Sequence, residues 1–131
     1  MKVIEVKTKS REELIDITSI VRDYVRASGC KNGICLVYVP HTTAAVTINE
    51  NADPSVRADI LMALKTLIPD DLPYTHAEGN SPAHVKASFV GSSANIIFEG
   101  GHLLLGTWQG IYFCEFDGPR SRKVFLRVQG D

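Results

Sequence analysis

Gly33 to Pro54 reads GICLVYVPHTTAAVTINENADP, and the fold turns on how this stretch divides. Gly33 to Val39 is a short apolar run rich in β-branched and aromatic residues, the length of a buried strand. Pro40 ends its ladder, having no N–H to donate. Residues 43–48 predict a second strand. Asp53-Pro54 reads as an N-cap followed by proline at the first helical position, where the missing N–H costs nothing. Val56, Ile60, Leu61, Leu64, Leu67 and Ile68 then recur at the spacing of one buried helix face. His41 therefore sits at a strand end, and Asn49 to Asp53 form a strand-to-helix loop. Between them, His41, Thr42, Thr43, Thr47, Asn49, Glu50, Asn51 and Asp53 supply an imidazole, hydroxyls, amides and carboxylates. Loops held by rigid elements are where binding residues collect.

Working outward, Val3, Ile4, Val6 and Thr8 among lysines predict a first strand with one wet face, and Glu12 to Asp16 a continuation of the pairing. Thr18 is expected to cap a helix carrying Ile20, Val21, Tyr24 and Val25, with Gly29 ending it. After the 54–68 helix the periodicity disappears over Pro69 to Pro82, a long loop of the kind that is functional or disordered. Ser81-Pro82 repeats the cap-plus-proline signal for a short helix ending at Gly91. Strands follow at Ala94 to Glu99, His102 to Leu105, Ile111 to Phe116 and Lys123 to Val128, joined by glycine turns. The pattern predicts one α+β domain over residues 1–131, with a mostly antiparallel β-sandwich and two to three helices.

Composition narrows the function classes. In 131 residues, 44% are hydrophobic and 22% charged, an ordinary globular balance, and the net charge is −1. Nothing in that field points to nucleic acid or an anionic membrane. No run approaches the ~20 apolar residues of a membrane span, and the alternating N-terminus lacks a signal peptide's apolar core. Cys30, Cys35 and Cys114 form no CxxC pair, which fits reduced thiols and a cytoplasmic location, with Cys35 and Cys114 as small core residues.

The residues able to carry chemistry are spread along the chain. His41, His76, His84 and His102 all fall at loops, element starts or a hairpin, and His84 lies in a helix's first turn, where the dipole favours the neutral ring. His76-Ala77-Glu78 invites comparison with the H-x-E of zinc deaminases, but the downstream P-C-x-x-C is missing. A bound metal would therefore take histidines and a carboxylate from separate loops, with Glu50, Asp53 and Glu78 as candidates. Trp108, between glycines, is either a core aromatic or a stacking wall. Arg120 follows the Asp117-Gly118-Pro119 turn and suits bidentate phosphate binding, whereas Arg122 and Lys123 read as a solvated basic turn. Walker, Rossmann and nucleophile-elbow motifs are absent, which argues against nucleotide hydrolysis, hydride transfer and triad esterase chemistry.

Three motifs, PHTTAAVTINENADP, HAEGNSPAHVKAS, and LLLGTWQGI followed by DGPR, together resemble the YjbQ family, also called the secondary thiamine-phosphate synthase-like family. The resemblance runs over nearly the whole chain. It implies a small α+β domain with a β-sandwich that assembles as a homotrimer. It also implies a weak thiamine-phosphate synthase activity, joining hydroxymethylpyrimidine pyrophosphate to thiazole phosphate. His41, Asn49, Glu50, Asp53, His76, Glu78, His84, Lys86, Trp108, Gln109 and Arg120 fall on the family pattern, and His102 lies outside it. The resulting expectation is a divalent metal, zinc or magnesium, on His41, His76 and His84. Glu50, Asp53, Glu78 and Lys86 are the expected catalytic groups. Thr42, Asn49, Trp108, Gln109 and Arg120 are expected on a phosphorylated small molecule, with Trp108 or Arg120 supplied by a neighbouring subunit. The alternatives are a trimeric metabolite-binding or regulatory module, and a metal-dependent phosphate-ester hydrolase.

Overall fold

The computed structural model describes residues 1–131. In chain order its elements are β1 (Lys2–Lys7), β2 (Glu13–Asp16), α1 (Thr18–Ala27), β3 (Gly33–Tyr38), β4 (Ala44–Glu50), α2 (Pro54–Leu67), α3 (Ser81–Val90), β5 (Ser93–Glu99), β6 (His102–Leu103), β7 (Gln109–Glu115) and β8 (Ser121–Gly130). They form a five-stranded sheet, ordered β1-β8-β3-β5-β6, and a three-stranded sheet, ordered β2-β7-β4. Every pairing is antiparallel, so the predicted α+β class holds.

The layering follows from which strand faces are apolar. Val37, Phe98, Val124 and Leu126 from the larger sheet meet Val46, Ile111 and Phe113 from the smaller one, with Val21 and Val25 of α1 in the same core. On the other face of the smaller sheet, Ala45, Tyr112, Cys114 and Phe116 pack against Ala83 and Ala87 of α3. β7 is thus covered on both sides, which is why its sequence is a continuous apolar run without alternation. Cys35 and Cys114 are buried and free, as expected, and burial pushes their thiols up to about 11 and about 12.

Four local readings change. β3 is buried on one face alone: Cys35 and Val37 point inward while Ile34, Leu36 and Tyr38 are exposed. Together with Val3 and Ile97 they leave an apolar row on the outer face of the larger sheet, because no helix lies over it. Thr18 does not cap α1. Its amide donates to the Asp16 carboxylate at 2.9 Å, while its hydroxyl accepts from the Ile111 N–H at 2.8 Å, tying the helix to β7. Asn80, one residue before Ser81, takes the cap position of α3 without capping it. On α2, the apolar face is half-buried at Ile60, Leu61 and Leu64, but Leu67 is exposed. Leu67, Leu72 and Phe89 line an apolar groove between α2, the following loop and α3.

Candidate functional site

Although β3 and β4 are consecutive, they lie in different sheets, so Pro40 to Thr43 has to cross from one layer to the other. That crossing meets the end of β7 and the start of β8: Ala44 pairs with Glu115, and Tyr38 with Phe125. The result is an open cleft of about 690 Å³ at one end of both sheets, lined by His41, His76, Glu78, His84, Arg120 and Arg122 among others. His41 therefore shares one cavity with His76 and His84, which lie far from it in sequence.

The floor of the cleft is a buried ion pair. Glu115 is 0% exposed and Arg122 5% exposed. Arg122 Nε donates to Glu115 Oε2 at 2.8 Å, and its Nη2 donates to Oε1 of the same carboxylate and to Thr43 Oγ1 at 2.8 Å. The Thr8 hydroxyl and the Asp117 N–H each donate to Glu115 at 2.9 Å. Burial pushes the Glu115 carboxyl up, but the Arg122, Asp117 and Thr8 hydrogen bonds with the Arg122 charge outweigh it and hold it below the usual range. Gly118 is required beside this group. A Cβ there would lie 2.8 Å from both Glu115 Cγ and Thr8 Oγ1 and 2.3 Å from Ser10 O.

His41 is held against this floor. Its Nε2 accepts the Lys123 N–H at 2.9 Å, so the neutral ring carries its proton on Nδ1. Burial, reinforced by the Arg122 charge, holds its pKa below the ordinary imidazole value. Above it, the His76 and His84 rings meet edge-on with centroids 5.5 Å apart, and Glu78 lies 3.9 Å from His76 Nε2. On the rim, Asp117 organises two side chains. Arg120 Nη2 and Asn80 Nδ2 each donate to its Oδ2 at 2.9 Å, and Arg120 Nε donates to its carbonyl at 2.8 Å. The Asn80 side chain is drawn away from its helix by this bond. Its Oδ1 is buried without a donor, an acceptor that a water or ligand must satisfy.

A metal on His41, His76 and His84 does not fit this arrangement. The Nε2 lone pair of His41 is taken by a backbone amide and its Nδ1 is protonated, and no three His, Cys, Asp or Glu side chains are gathered as a ligand set. Lys86 is not in the cleft either: it is 2% exposed, with Nζ 2.7 Å from Glu12, a structural ion pair beneath α3. The remaining expected residues sit at the opposite end of β4. Glu50 pairs with Gln109, and the Asn51 N–H donates to the Trp108 carbonyl at 2.9 Å. Asn49 Oδ1 accepts the Glu50 N–H at 2.7 Å, and Asp53 caps α2 by accepting the Ser55 N–H at 3.0 Å. The six residue steps from Ala44 to Glu50 put this cluster about 20 Å from the cleft at ~3.4 Å per strand residue. Trp108 is 63% exposed, so within one chain it walls nothing. Thr42 and Arg120 do line the cleft.

Arg122, which reads from sequence as part of a solvated basic turn, is buried; Glu115 and Asn80 carry no sequence-based assignment, and Asp117 reads only as a turn residue, whereas Thr43 stands among the hydroxyls of the 41–53 stretch. One signal was available: Glu115 is the single charge inside IYFCEF, and a carboxylate in a strand covered on both faces demands a buried cation.

These features define a small α+β domain of two antiparallel sheets with a histidine- and arginine-lined cleft where the chain crosses between them. Residues 2–131 match the family described as UPF0047 protein YjbQ-like, and the chain belongs to it. It is 55% identical over 127 residues to UPF0047 protein MJ1081 of Methanocaldococcus jannaschii, covering 97% of this chain and 92% of that one. It is 49% identical over 131 residues to UPF0047 protein YugU of Bacillus subtilis, covering 99% of both. Among solved structures, a YjbQ/UPF0047 protein from Clostridium acetobutylicum superposes with a TM-score of 0.97 at 53% identity, over 98% of this chain and 100% of that one. A protein from Sulfolobus solfataricus, described as of unknown function, superposes with a TM-score of 0.95 at 38% identity, over 99% of this chain and 96% of that one.

Proposed function

We propose that this chain is an enzyme acting on a phosphorylated small molecule bound in the cleft. The observation that carries the reading is the convergence of three histidines with Arg120 and Arg122 in one open, polar cavity: guanidinium groups for phosphoryl oxygens, imidazoles for proton transfer. The reaction implied by family resemblance is thiamine-phosphate formation. There the thiazole nitrogen attacks the pyrimidine methylene carbon, the C–O bond breaks, and pyrophosphate leaves with the electron pair. That reaction needs cations at the departing pyrophosphate, which the two arginines would supply. It also needs a planar wall: within one chain the Tyr38 ring borders the cleft, but one chain brings no tryptophan to it. A homotrimer would, by setting Trp108 of one subunit beside the cleft of the next. The exposed apolar row of Val3, Ile34, Leu36, Tyr38 and Ile97 supports assembly, since such a face is normally covered.

A second reading is a metabolite-binding or regulatory module. It is favoured by the commitment of Glu115 and Asp117 to ion pairs, which leaves Glu78 as the one lining carboxylate without an arginine partner. Incubating the protein with both thiamine precursors, and separately with phosphate monoesters, distinguishes them. Thiamine phosphate or released phosphate supports the enzyme. Tight binding with every ligand recovered intact sinks it in favour of the module.

A further inference from the structure

Arg122 is placed too deep for a surface cation and is only partly used by its ion pair. Its Nε and Nη2 are engaged by Glu115 and Thr43. Nη1 makes no hydrogen bond within the protein, yet it is not among the atoms sealed from solvent, so it opens on the cleft that Arg122 lines. His41 is fixed in a matching way. With Nε2 spent on the Lys123 amide, its ring presents Nδ1–H as a donor and has no acceptor to offer. Thr42, between His41 and the buried Thr43, adds a free hydroxyl on the same wall. Arg122 is oriented by a buried carboxylate and His41 by a backbone amide before any ligand arrives, which reduces the ordering cost of binding.

We propose that Arg122 Nη1, His41 Nδ1–H and the Thr42 hydroxyl form a preorganised oxyanion floor that takes a tetrahedral phosphoryl group, as inorganic phosphate or the head of a phosphate monoester, without a metal ion. The inference rests on the reading of the cleft as a site for phosphorylated molecules, and it reassigns His41 from metal ligand to hydrogen-bond donor. Arg120, His76, His84, Glu78 and Asp117 face the same space. They would meet the rest of the ligand, while the Arg122, His41 and Thr42 donors select its anionic head. A charged acceptor is what such a floor discriminates for, because hydrogen bonds to charged groups are roughly twice as strong as neutral ones.

The test is calorimetric titration of inorganic phosphate and of a simple phosphate monoester into the full chain, before and after chelator treatment. Phosphate should bind with an affinity unchanged by chelator. His41→Phe should weaken it about tenfold or more, or ~1.4 kcal/mol, while His41→Asn, which keeps a donor at the Nδ1 position, should stay within about threefold of the parent. Thr42→Val should lose several-fold, and none of the three substitutions removes a partner of the Arg122–Glu115 pair, so all three variants should fold. Loss of binding on chelation, or an unchanged affinity in His41→Phe, overturns the proposal. Binding of the ester but not of free phosphate locates recognition in the organic group and overturns it as well. The two readings fail separately: phosphate binding without turnover sinks the enzyme and leaves the floor, while turnover without phosphate binding does the reverse.

Discussion

Arg122→Met should convert a stabilising carboxylate into a destabilising one. Methionine occupies much of the arginine's apolar volume, so the packing loss is small. What remains is Glu115 at 0% exposure with the Thr8 hydroxyl and the Asp117 amide as its remaining hydrogen-bond donors. Breaking a buried pair from one side costs about 3–5 kcal/mol. At ~2.1 cal/mol/K per residue, 131 residues unfold with about 0.28 kcal/mol/K, so the melting temperature should fall by about 11–18 °C. The pH dependence should also change sign. In the parent, Glu115 has a folded pKa below its unfolded value, so its contribution is full above the unfolded pKa and fades as pH falls through the folded one. In Arg122→Met, the Thr8 and Asp117 hydrogen bonds offset burial, the largest cause, only in part, so the folded pKa should rise above the unfolded one. Stability is then greatest in acid and is lost as pH rises between the two values. Denaturant unfolding from pH 4 to 7, at fixed protomer concentration, measures the difference between parent and variant. The Glu115→Gln/Arg122→Met double variant should recover part of the loss. A loss under about 1 kcal/mol, or parallel pH profiles, would refute the account of the floor.

Other outcomes follow from single observations. His41 has a lowered folded pKa, so as pH drops below its unfolded value the unfolded chain takes up a proton that the folded one does not, and stability falls. His41→Asn should flatten that segment of the profile between roughly pH 7 and 5. Gly118→Ala, forcing a Cβ to 2.3 Å from Ser10 O, should cost about 1–3 kcal/mol in chemical denaturation, and a neutral result would mean the turn relaxes freely. Lys86→Met should change stability by no more than about 1–2 kcal/mol and leave turnover intact, since Glu12 can return to water; abolished turnover with normal folding would restore Lys86 to the chemistry. Sedimentation should give about three times the 14.4 kDa chain mass, and Leu36→Glu on the open sheet face should shift it toward the monomer. A parent that sediments as a monomer removes the shared-site arrangement.

Much of this molecule was legible from short-range signals, because those signals act over a few residues. Asp53-Pro54 starts α2, Gly29 and Gly91 stand at helix ends with φ of 75° and 101°, and IYFCEF reads as a strand, although its covering on both faces came from the structure alone. The convergence of His41, His76 and His84 was readable in kind, as loop histidines of one site. Its partners were not. Whether Ile34, Leu36 and Tyr38 are covered depends on which layer lies over β3, and nothing in GICLVYV reports that. Arg122 reads as a surface charge among Arg120, Ser121 and Lys123, and only the antiparallel pairing of β8 against β1 and β3 turns it inward onto Glu115. Asn49, Glu50, Asp53, Trp108 and Gln109 share a motif pattern with the histidines, yet β4 is a rigid strand and carries them to its far end. Local sequence determined where elements begin, end and show apolar faces, because caps, turns and periodicity are set by neighbouring residues. Sheet order and register, which bring Thr8, Thr43, Glu115 and Arg122 together across up to 114 positions of chain, were decided by packing alone.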